Sequence, residues 1–382
     1  MNMKKLGFGA MRLPLIDNED KKSIDSETLC KMVDKFIEAG FTYFDTAFPY
    51  HEQLSENALN EALVKRYDRK SYIFADKMPT VLVKSADDYP MYFNEQLKKT
   101  GVGYFDYYLM HNMGKDRYDK TKEFKGFEFA IQMKEKGLIK NFGFSFHDDA
   151  DTLERILTEH PEVDFVQLQI NYLDWNNPII QSQKCYETAC RHGKPVIVME
   201  PVKGGTLANL PPKALDLVYN YALNDKNIKD KITGMSKQAV AASYALRYAA
   251  SFDNVMMVLS GMSDFAQMNS NCAVFDEFIP LNDDDRVMLD KVVQIINECI
   301  EIPCTSCGYC MEVCPKNISI PQLFGLYNNY KINNNFSNMY HQRITYNKGK
   351  SSDCLNCHRC EKNCPQHIRI PEFLKKIAEF EK

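Results

Sequence analysis

The chain lacks several features that would narrow its role at once. No run of about 18 apolar residues occurs in its 382 residues, so nothing in it reads as a membrane-spanning helix. The opening Met-Asn-Met-Lys-Lys-Leu-Gly-Phe-Gly enters a strand-like stretch directly, with no apolar leader core, so no secretory leader is expected. No G-x-G-x-x-G opens a helical stretch, which speaks against a dinucleotide-binding open sheet. Excess charge is scarce too: 47 Lys and Arg stand against 51 Asp and Glu, a net −4. Nucleic-acid binding would want a dense basic stripe, and none is present.

Cysteine, by contrast, is plentiful, and eight of the 13 fall into two copies of one pattern. Cys304, Cys307, Cys310 and Cys314, then Cys354, Cys357, Cys360 and Cys364, are each spaced C-x2-C-x2-C-x3-C and followed by Pro315 or Pro365. Four thiolates within eleven residues suit a compact, soft, electron-rich centre, and this is the spacing of bacterial two-cluster ferredoxins. In that pattern the fourth cysteine of each run ligates the other run's cluster. Zinc is the rival reading, but zinc sites usually pair two distant C-x2-C halves. The expectation is two [4Fe–4S] clusters, one on Cys304, Cys307, Cys310 and Cys364, the other on Cys354, Cys357, Cys360 and Cys314. Clustered thiolates imply a reducing compartment, so the chain is expected to be cytoplasmic, without disulfides. Cys30, Cys185, Cys190, Cys272 and Cys299 show no ligand spacing and read as inert thiols.

The cysteine runs sit in an internal repeat of period 50, from Cys304–Pro321 to Cys354–Pro371. Ile318 and Ile320 answer Ile368 and Ile370, and a helix-like run follows each proline. The Asn-rich stretch Asn328–Asn338 between them reads as a loop around a short helix. Residues 298–382 carry 11 Lys and Arg against 8 Asp and Glu, so the remainder is the acidic part. A mildly basic segment offsets an anionic cofactor.

Residues 1–280 alternate short β-branched or aromatic runs with amphipathic stretches, the pattern of a parallel α/β fold. Eight strands are expected: Leu6–Met11, Thr42–Thr46, Ile73–Lys77, Tyr107–His111, Asn141–Phe146, Phe165–Ile170, Val196–Glu200 and Val255–Ser260. Eight strand–helix units of this length predict a (β/α)₈ barrel over 1–297, with a mostly helical two-cluster domain over 298–382. A doubly wound sheet is the runner-up. Catalytic side chains of such barrels stand where strands end at the C-terminal face. There the second, third and fourth strands end in Asp45, Lys77 and His111, and Tyr50 follows the second. Singly each has a bland reading as a cap or a packing residue; together on one rim they point to chemistry.

These residues resemble the aldo-keto reductases. Phe-Asp-Thr-Ala at 44–47 with Tyr50, the strand-end Lys77 and the strand-end His111 match that family's catalytic tetrad. Leu-Gly-Phe-Gly-Ala-Met-Arg-Leu-Pro near the start, Lys-Gly-Leu-Ile-Lys-Asn-Phe-Gly-Phe-Ser at 136–145 and Ser-Gly-Met at 260–262 are similar to it too. The whole chain resembles the subgroup with a C-terminal dicluster domain. The resemblance implies reduction of a small-molecule carbonyl, or oxidation of an alcohol, with NAD(H) or NADP(H). Free tyrosine titrates near ~10, and a nearby ammonium is expected to lower that value. Tyr50 is then the general acid, Lys77 its tuner, Asp45 the partner of Lys77, and His111 the group orienting the carbonyl.

The resemblance further implies nicotinamide-amide contacts at Ser145 and Gln167, and adenosine contacts at Gly261, Met262, Ser263, Gln267 and Asn271. The residue after Ser145, commonly Asn, is Phe146, with Asn171 or His147 as replacements. The usual stacking aromatic is replaced near Met199–Glu200. No paired cations for a 2′-phosphate fall in the adenosine segment, Asp264 adds negative charge, and Lys203 is the nearby cation, so NADP is not favoured. Trp175, the only tryptophan, follows the sixth strand and reads either as pocket lining or as packing. The run 118–125 reads as a solvated loop and helix start. In the family the C-terminal tail closes the substrate pocket, so the cluster domain is expected at the barrel mouth. The second reading is an electron-transfer or docking module serving a redox partner protein, with a barrel that no longer turns over nicotinamide.

Overall fold

The computed structural model describes residues 4–298, 300–304, 306–364 and 366–381, the side chain of Asn333 apart. Cys299 and Pro365 lie outside the described residues. Eight parallel strands close into a barrel in chain order. They are β1 (Leu6–Gly9), β2 (Tyr43–Asp45), β3 (Ile73–Met78), β4 (Phe105–Met113), β5 (Ile139–Phe146), β6 (Phe165–Gln169), β7 (Val196–Met199) and β8 (Val255–Gly261). All eight expected strands are present, and the closing pairing of β1 with β8 rules out the doubly wound sheet.

Side chains alternate along a strand, so residues two apart share a face. Tyr43, Ala75, Leu109, Phe165, Ile197, Met257 and Leu259 form a buried cluster of their own inside the barrel. Their outward neighbours, such as Phe44, Phe74, Tyr108, Val166 and Val198, join the larger core beneath the helices. Gly7 belongs to the inner layer because a Cβ there would stand 2.7 Å from Leu259 and 3.1 Å from Tyr43. Two residues beyond the inner layer, towards the strand ends, come Asp45, Lys77, Gln167, Met199 and Gly261. The alternation that fills the barrel therefore also lays the floor of its mouth.

Helices form where the periodicity placed them. Leu29, Met32, Val33 and Phe36 are buried on the helix Ser26–Glu38, whose N-cap Asp25 accepts from Thr28 N. The helix stops before Gly40, which adopts φ 81. The run 118–125 differs from expectation. Lys115–Glu123 is a helix, and Tyr118 is fully buried beneath it, hydrogen-bonded to Glu159 at 2.7 Å. The surrounding lysines masked one inward aromatic.

Beyond the barrel, Ile302, Ile318, Ile320, Leu323, Phe324, Ile368, Ile370, Leu374 and Ile377 form a second, smaller core. The repeat is visible in it. Each cysteine loop feeds a helix, Ile320–Asn333 or Ile370–Ala378, with proline in the first turn where its missing N–H costs nothing. The Asn-rich stretch is more ordered than expected. The first helix continues to Asn333, and a new one, Asn338–Ile344, starts at the Ser337 cap. Asparagine's poor helix propensity is overridden there by packing. Among the described residues, no helix is long and apolar enough to cross a membrane.

Candidate active site and cysteine-lined voids

Lys77 organises the rim. Its Nζ lies 2.5 Å from Asp45 Oδ1, 2.7 Å from Thr46 O and 3.5 Å from Tyr50 Oη. An ammonium has three donors, and here each has a partner. Asp45 is steadied from the other side by Gln167 Nε2 at 3.4 Å. The His111 ring stands edge-on to Tyr50, with centroids 5.9 Å apart. The four residues expected to act together are thus one cluster.

Tyr50 owes its place to an unusual turn. His51, Glu52 and Gln53 all adopt positive φ, of 50, 50 and 73. Such conformations are strained for residues other than glycine and need outside support. His51 supplies it: Nε2 accepts from Leu13 N at 3.0 Å, so Nδ1 carries the proton donated to Lys21 O at 2.9 Å. The loop after β1 thereby braces the loop that carries the phenol. Nothing in the sequence singled out His51 for this.

Electrostatics assign the protonation states. Burial works against the Lys77 ammonium, but Asp45 and Tyr50 outweigh it and hold the pKa above the ordinary lysine value. Burial pushes Asp45 up from the usual carboxylate range, while Lys77 and Gln167 pull it down. Burial and the nearby cations Lys77, Arg117 and Arg343 drive His111 down to about 3, so it is neutral at pH 7. Tyr50 departs from expectation. Burial raises its pKa above the ordinary phenol value, and the pull of Lys77 does not overcome that. Taking a phenolate out of water costs more here than an ammonium 3.5 Å away, already claimed by Asp45, returns.

The rim opens into a cavity of about 1350 Å³. Typical ligand pockets hold roughly 300–1,000 Å³, so this one has room for a large ligand. Asp45, Tyr50, His111, Ser145, Gln167, Gly261, Ser263, Gln267 and Asn271 all line it. Lys77 and Met262 do not: Lys77 lies behind Asp45 and Tyr50, and Met262 is fully buried in the core. Ser145 Oγ accepts from Asn112 N at 2.7 Å, which leaves its own proton to donate. Asn271 binds Ser260 Oγ at 3.0 Å, and Gln267 is paired with Asp264 at 2.9 Å.

Three readings are narrowed. Asn171 cannot substitute for the missing amide-holding residue, because its side chain is buried against Asp174 Oδ2 and Glu200 O at 2.7 and 3.1 Å. Lys203 is no phosphate clamp either, since it is buried in an ion pair with Asp174 at 2.6 Å. The cations that do line the cavity are Arg12 and Lys231. Arg12 lies along Gly261, where a Cβ would sit 3.1 Å from its side chain. Trp175 packs rather than lines, stacking on Phe252 at 4.5 Å.

The second core holds two voids. One is lined by Cys304, Cys307, Cys310 and Cys364, the other by Cys314, Cys354, Cys357 and Cys360. Each takes three cysteines from one run and the fourth from the other. Mostly apolar side chains complete the walls, joined by Lys316 and His358 at one void and Gln366 at the other, and backbone N–H groups meet sulfur at Cys304 and Cys314, at 3.4 and 3.5 Å. Among the described residues, no three His, Cys, Asp or Glu side chains gather as a single metal ion would require. Four thiols around each void are the donor set of a [4Fe–4S] cluster, so the residues present fit one. The thiols of Cys185 and Cys272 line neither void.

The two parts meet at the barrel mouth. Met339, from the helix between the cysteine runs, lines the same cavity as Tyr50 and His111. Next to it, Tyr340 Oη reaches Gln169 Oε1 at 2.9 Å and His147 Nδ1 at 3.4 Å. Sequence reasoning missed these residues, because nothing local marks them.

A closed (β/α)₈ barrel with a buried carboxylate–ammonium pair beside a phenol and a neutral imidazole defines an oxidoreductase scaffold. The chain belongs to the aldo/keto reductase family, whose model matches residues 5–294, and a 4Fe-4S dicluster domain model matches residues 303–368. It is 25% identical over 279 residues to an uncharacterized oxidoreductase of Schizosaccharomyces pombe, spanning 71% of this chain and 81% of that protein. Among solved structures, it is similar to an aldo-keto reductase from Bacillus halodurans in its holo form. That likeness has a TM-score of 0.57 and 22% identity, over 75% of this chain and 91% of the other. It is also similar to an aldo-keto reductase from Klebsiella pneumoniae in complex with NADPH. There the TM-score is 0.55 and identity 16%, over 76% and 91% of the two chains. At these identities the structural likeness speaks for the fold.

Proposed function

We propose that this chain reduces a small-molecule carbonyl, or oxidises the corresponding alcohol, with NAD(H) or NADP(H). The observation that carries the reading is Lys77 Nζ held 2.5 Å from Asp45 and 3.5 Å from Tyr50 Oη at the edge of the large cavity. The bound nicotinamide supplies or accepts hydride at the carbonyl carbon. The chain's own residues handle the proton. Tyr50, protonated at neutral pH, donates from Oη to the carbonyl oxygen as negative charge builds there. The Lys77 ammonium steadies the phenolate left behind, and Asp45 and Thr46 O keep that ammonium charged and aimed. His111, neutral, donates a hydrogen bond to the same oxygen. General-acid roles of this kind are worth ~10²–10⁴ in rate. Ser145 and Gln167 would hold the carboxamide, and Gly261, Ser263, Gln267 and Asn271, which line the same cavity, would face the adenosine portion. Met262 supports that wall from within the core rather than by contact.

Two [4Fe–4S] clusters, held with crossed ligation as the lining of the two voids supports, supply one-electron chemistry when bound. The barrel domain is assigned to 1–297 and the cluster domain to 298–382, in a cytoplasmic protein able to meet a redox partner protein. Hydride transfer needs no cluster, so the reductase reading stands independently of the clusters' electron traffic.

The test is anaerobic purification with iron and sulfide counted, followed by NADH and NADPH oxidation against a panel of aldehydes and ketones. Nicotinamide oxidised in equal measure with carbonyl lost supports the reading. No turnover with intact clusters would leave the electron-transfer alternative in its place.

A further inference from the structure

A guanidinium from the segment between the cysteine runs holds the rim on the side of His111. Strand β4 does not run straight there. Met110 pairs with Phe144 and Met113 with Phe146, so three steps along β4 match two along β5. The extra residue is absorbed at His111–Asn112, where Asn112 adopts φ 60. Bulges of this kind re-aim side chains beside active sites. Asparagine tolerates the left-handed region better than most residues, though not without cost. Asn112 is also bonded to the site, since its N–H donates to Ser145 Oγ at 2.7 Å. One distorted pair of residues thus sets both His111 and Ser145.

Arg343 grips this bulge. Its Nη2 donates to Asn112 O and to Asn112 Oδ1, each at 2.7 Å, and its Nη1 donates to His147 O at 2.5 Å. Its side chain is only 4% exposed. Asp116 Oδ1 stands 3.7 Å from Nε, and Arg117 Nη1 reaches Asn112 O at 3.3 Å. The barrel is cut to receive this side chain: a Cβ at Gly114 would lie 2.6 Å from Arg343 Nε. With Nη2 on both carbonyls of Asn112 and Nη1 on His147 O, the planar fork spans two residues, a grip that the single nitrogen of lysine cannot reproduce.

We propose that Arg343 is a positioning residue for carbonyl reduction, fixing the bulge at Asn112 so that His111 and Ser145 face the reacting groups. The site of the barrel is then completed by the cluster-bearing segment. The proposal rests on the reductase reading, and its test keeps the two separable.

The comparison uses full-length, anaerobically purified wild type, Arg343→Met, and the pair Arg343→Met with Asn112→Gly, each with iron counted. Arg343→Met should lower kcat at least tenfold at unchanged iron content. The double variant should recover most of that loss, because glycine takes φ > 0 without strain. A contact that merely docks the two domains would not be repaired by Asn112→Gly. Activity within twofold of wild type in Arg343→Met, or a double variant as slow as the single, overturns the proposal. If Arg343→Met loses iron, Arg343→Lys takes its place with the same order expected. Amide hydrogen exchange across 110–115 needs no turnover. If wild type reduces no carbonyl, the reductase reading falls, yet faster exchange in Arg343→Met still supports the grip, and unchanged exchange overturns it.

Discussion

Tyr340 Oη lies 2.9 Å from Gln169 Oε1, across 171 residues of sequence. Gln169 stands two residues beyond Gln167 on the inward face of β6, and its own Nε2 donates to Asp174 Oδ2 at 2.8 Å. Its amide is therefore fixed, with the carbonyl end turned to the incoming phenol. Burial raises the Tyr340 phenol above its ordinary value, so it stays a neutral donor. A helix spliced between two cysteine runs thus rests on the strand that carries a proposed cofactor contact, and the clusters and the mouth share one piece of chain.

Replacing Tyr50 by Phe should abolish carbonyl reduction while leaving nicotinamide affinity nearly intact. The phenol supplies a proton only in the transition state, and interactions of that kind raise kcat rather than binding. A loss of ~10²-fold or more in kcat is expected, with a dissociation constant within a few-fold of wild type by fluorescence titration. Equal turnover in the variant would remove Tyr50 from the mechanism.

Much of the rim was legible because it follows from strand alternation. Tyr43, Ala75 and Leu109 point inward, so Asp45, Lys77 and His111 two residues later point inward too. The cysteine spacing was equally local, and each void indeed draws on both runs. What could not be read depends on distant partners. Lys203 looked available until Asp174, 29 residues away, claimed it. The phenol of Tyr50 was expected below its usual pKa because a sequence lists the neighbouring ammonium but not the depth of burial. Arg343 carries no local pattern, and its partner Asn112 lies 231 residues before it.

Acidification should destabilise the fold through His111. An unfolded histidine titrates near 6.5, whereas His111 is held down at about 3 by burial and nearby cations. Between those values the unfolded chain binds a proton that the folded one refuses, so stability falls as pH drops from about 6.5 towards 3. His147 is depressed for similar reasons and adds the same sign. Urea midpoints measured from pH 7.5 down to 5.5 should therefore fall less steeply in His111→Gln than in wild type. Parallel slopes in the two proteins would mean that His111 takes up its proton in the fold as readily as in the unfolded chain.

NADH should bind at least as well as NADPH. Asp264 caps the helix Phe265–Phe275, accepting from Gln267 N at 2.8 Å. A carboxylate there occupies the helix N-terminus that would otherwise attract a phosphate. A tenfold preference for NADPH, about 1.4 kcal/mol, would be the contrary result. It would point to Arg12 or Lys231, the cations lining the cavity, as the phosphate contact.

Crossed ligation makes cysteines distant in sequence behave alike. Cys364 lines the void of Cys304, Cys307 and Cys310, while Cys314 lines that of Cys354, Cys357 and Cys360. If each void holds one cubane, Cys364→Ser and Cys304→Ser should damage the same cluster, and Cys314→Ser and Cys354→Ser the other. The two environments differ enough to be told apart: one is walled by Phe324, Ile368 and Gln366, the other by Val313, Lys316 and His358. Neighbouring charge and solvent access set cluster potentials, so the two reduced clusters should give separable electron paramagnetic resonance signals. Iron should fall from about eight per chain towards about four in each single variant, as four iron atoms per cluster require. The decisive reading is which signal disappears. Cys364→Ser sharing its lost signal with Cys354→Ser, rather than with Cys304→Ser, would mean that each run of four holds its own cluster and that the crossing is wrong.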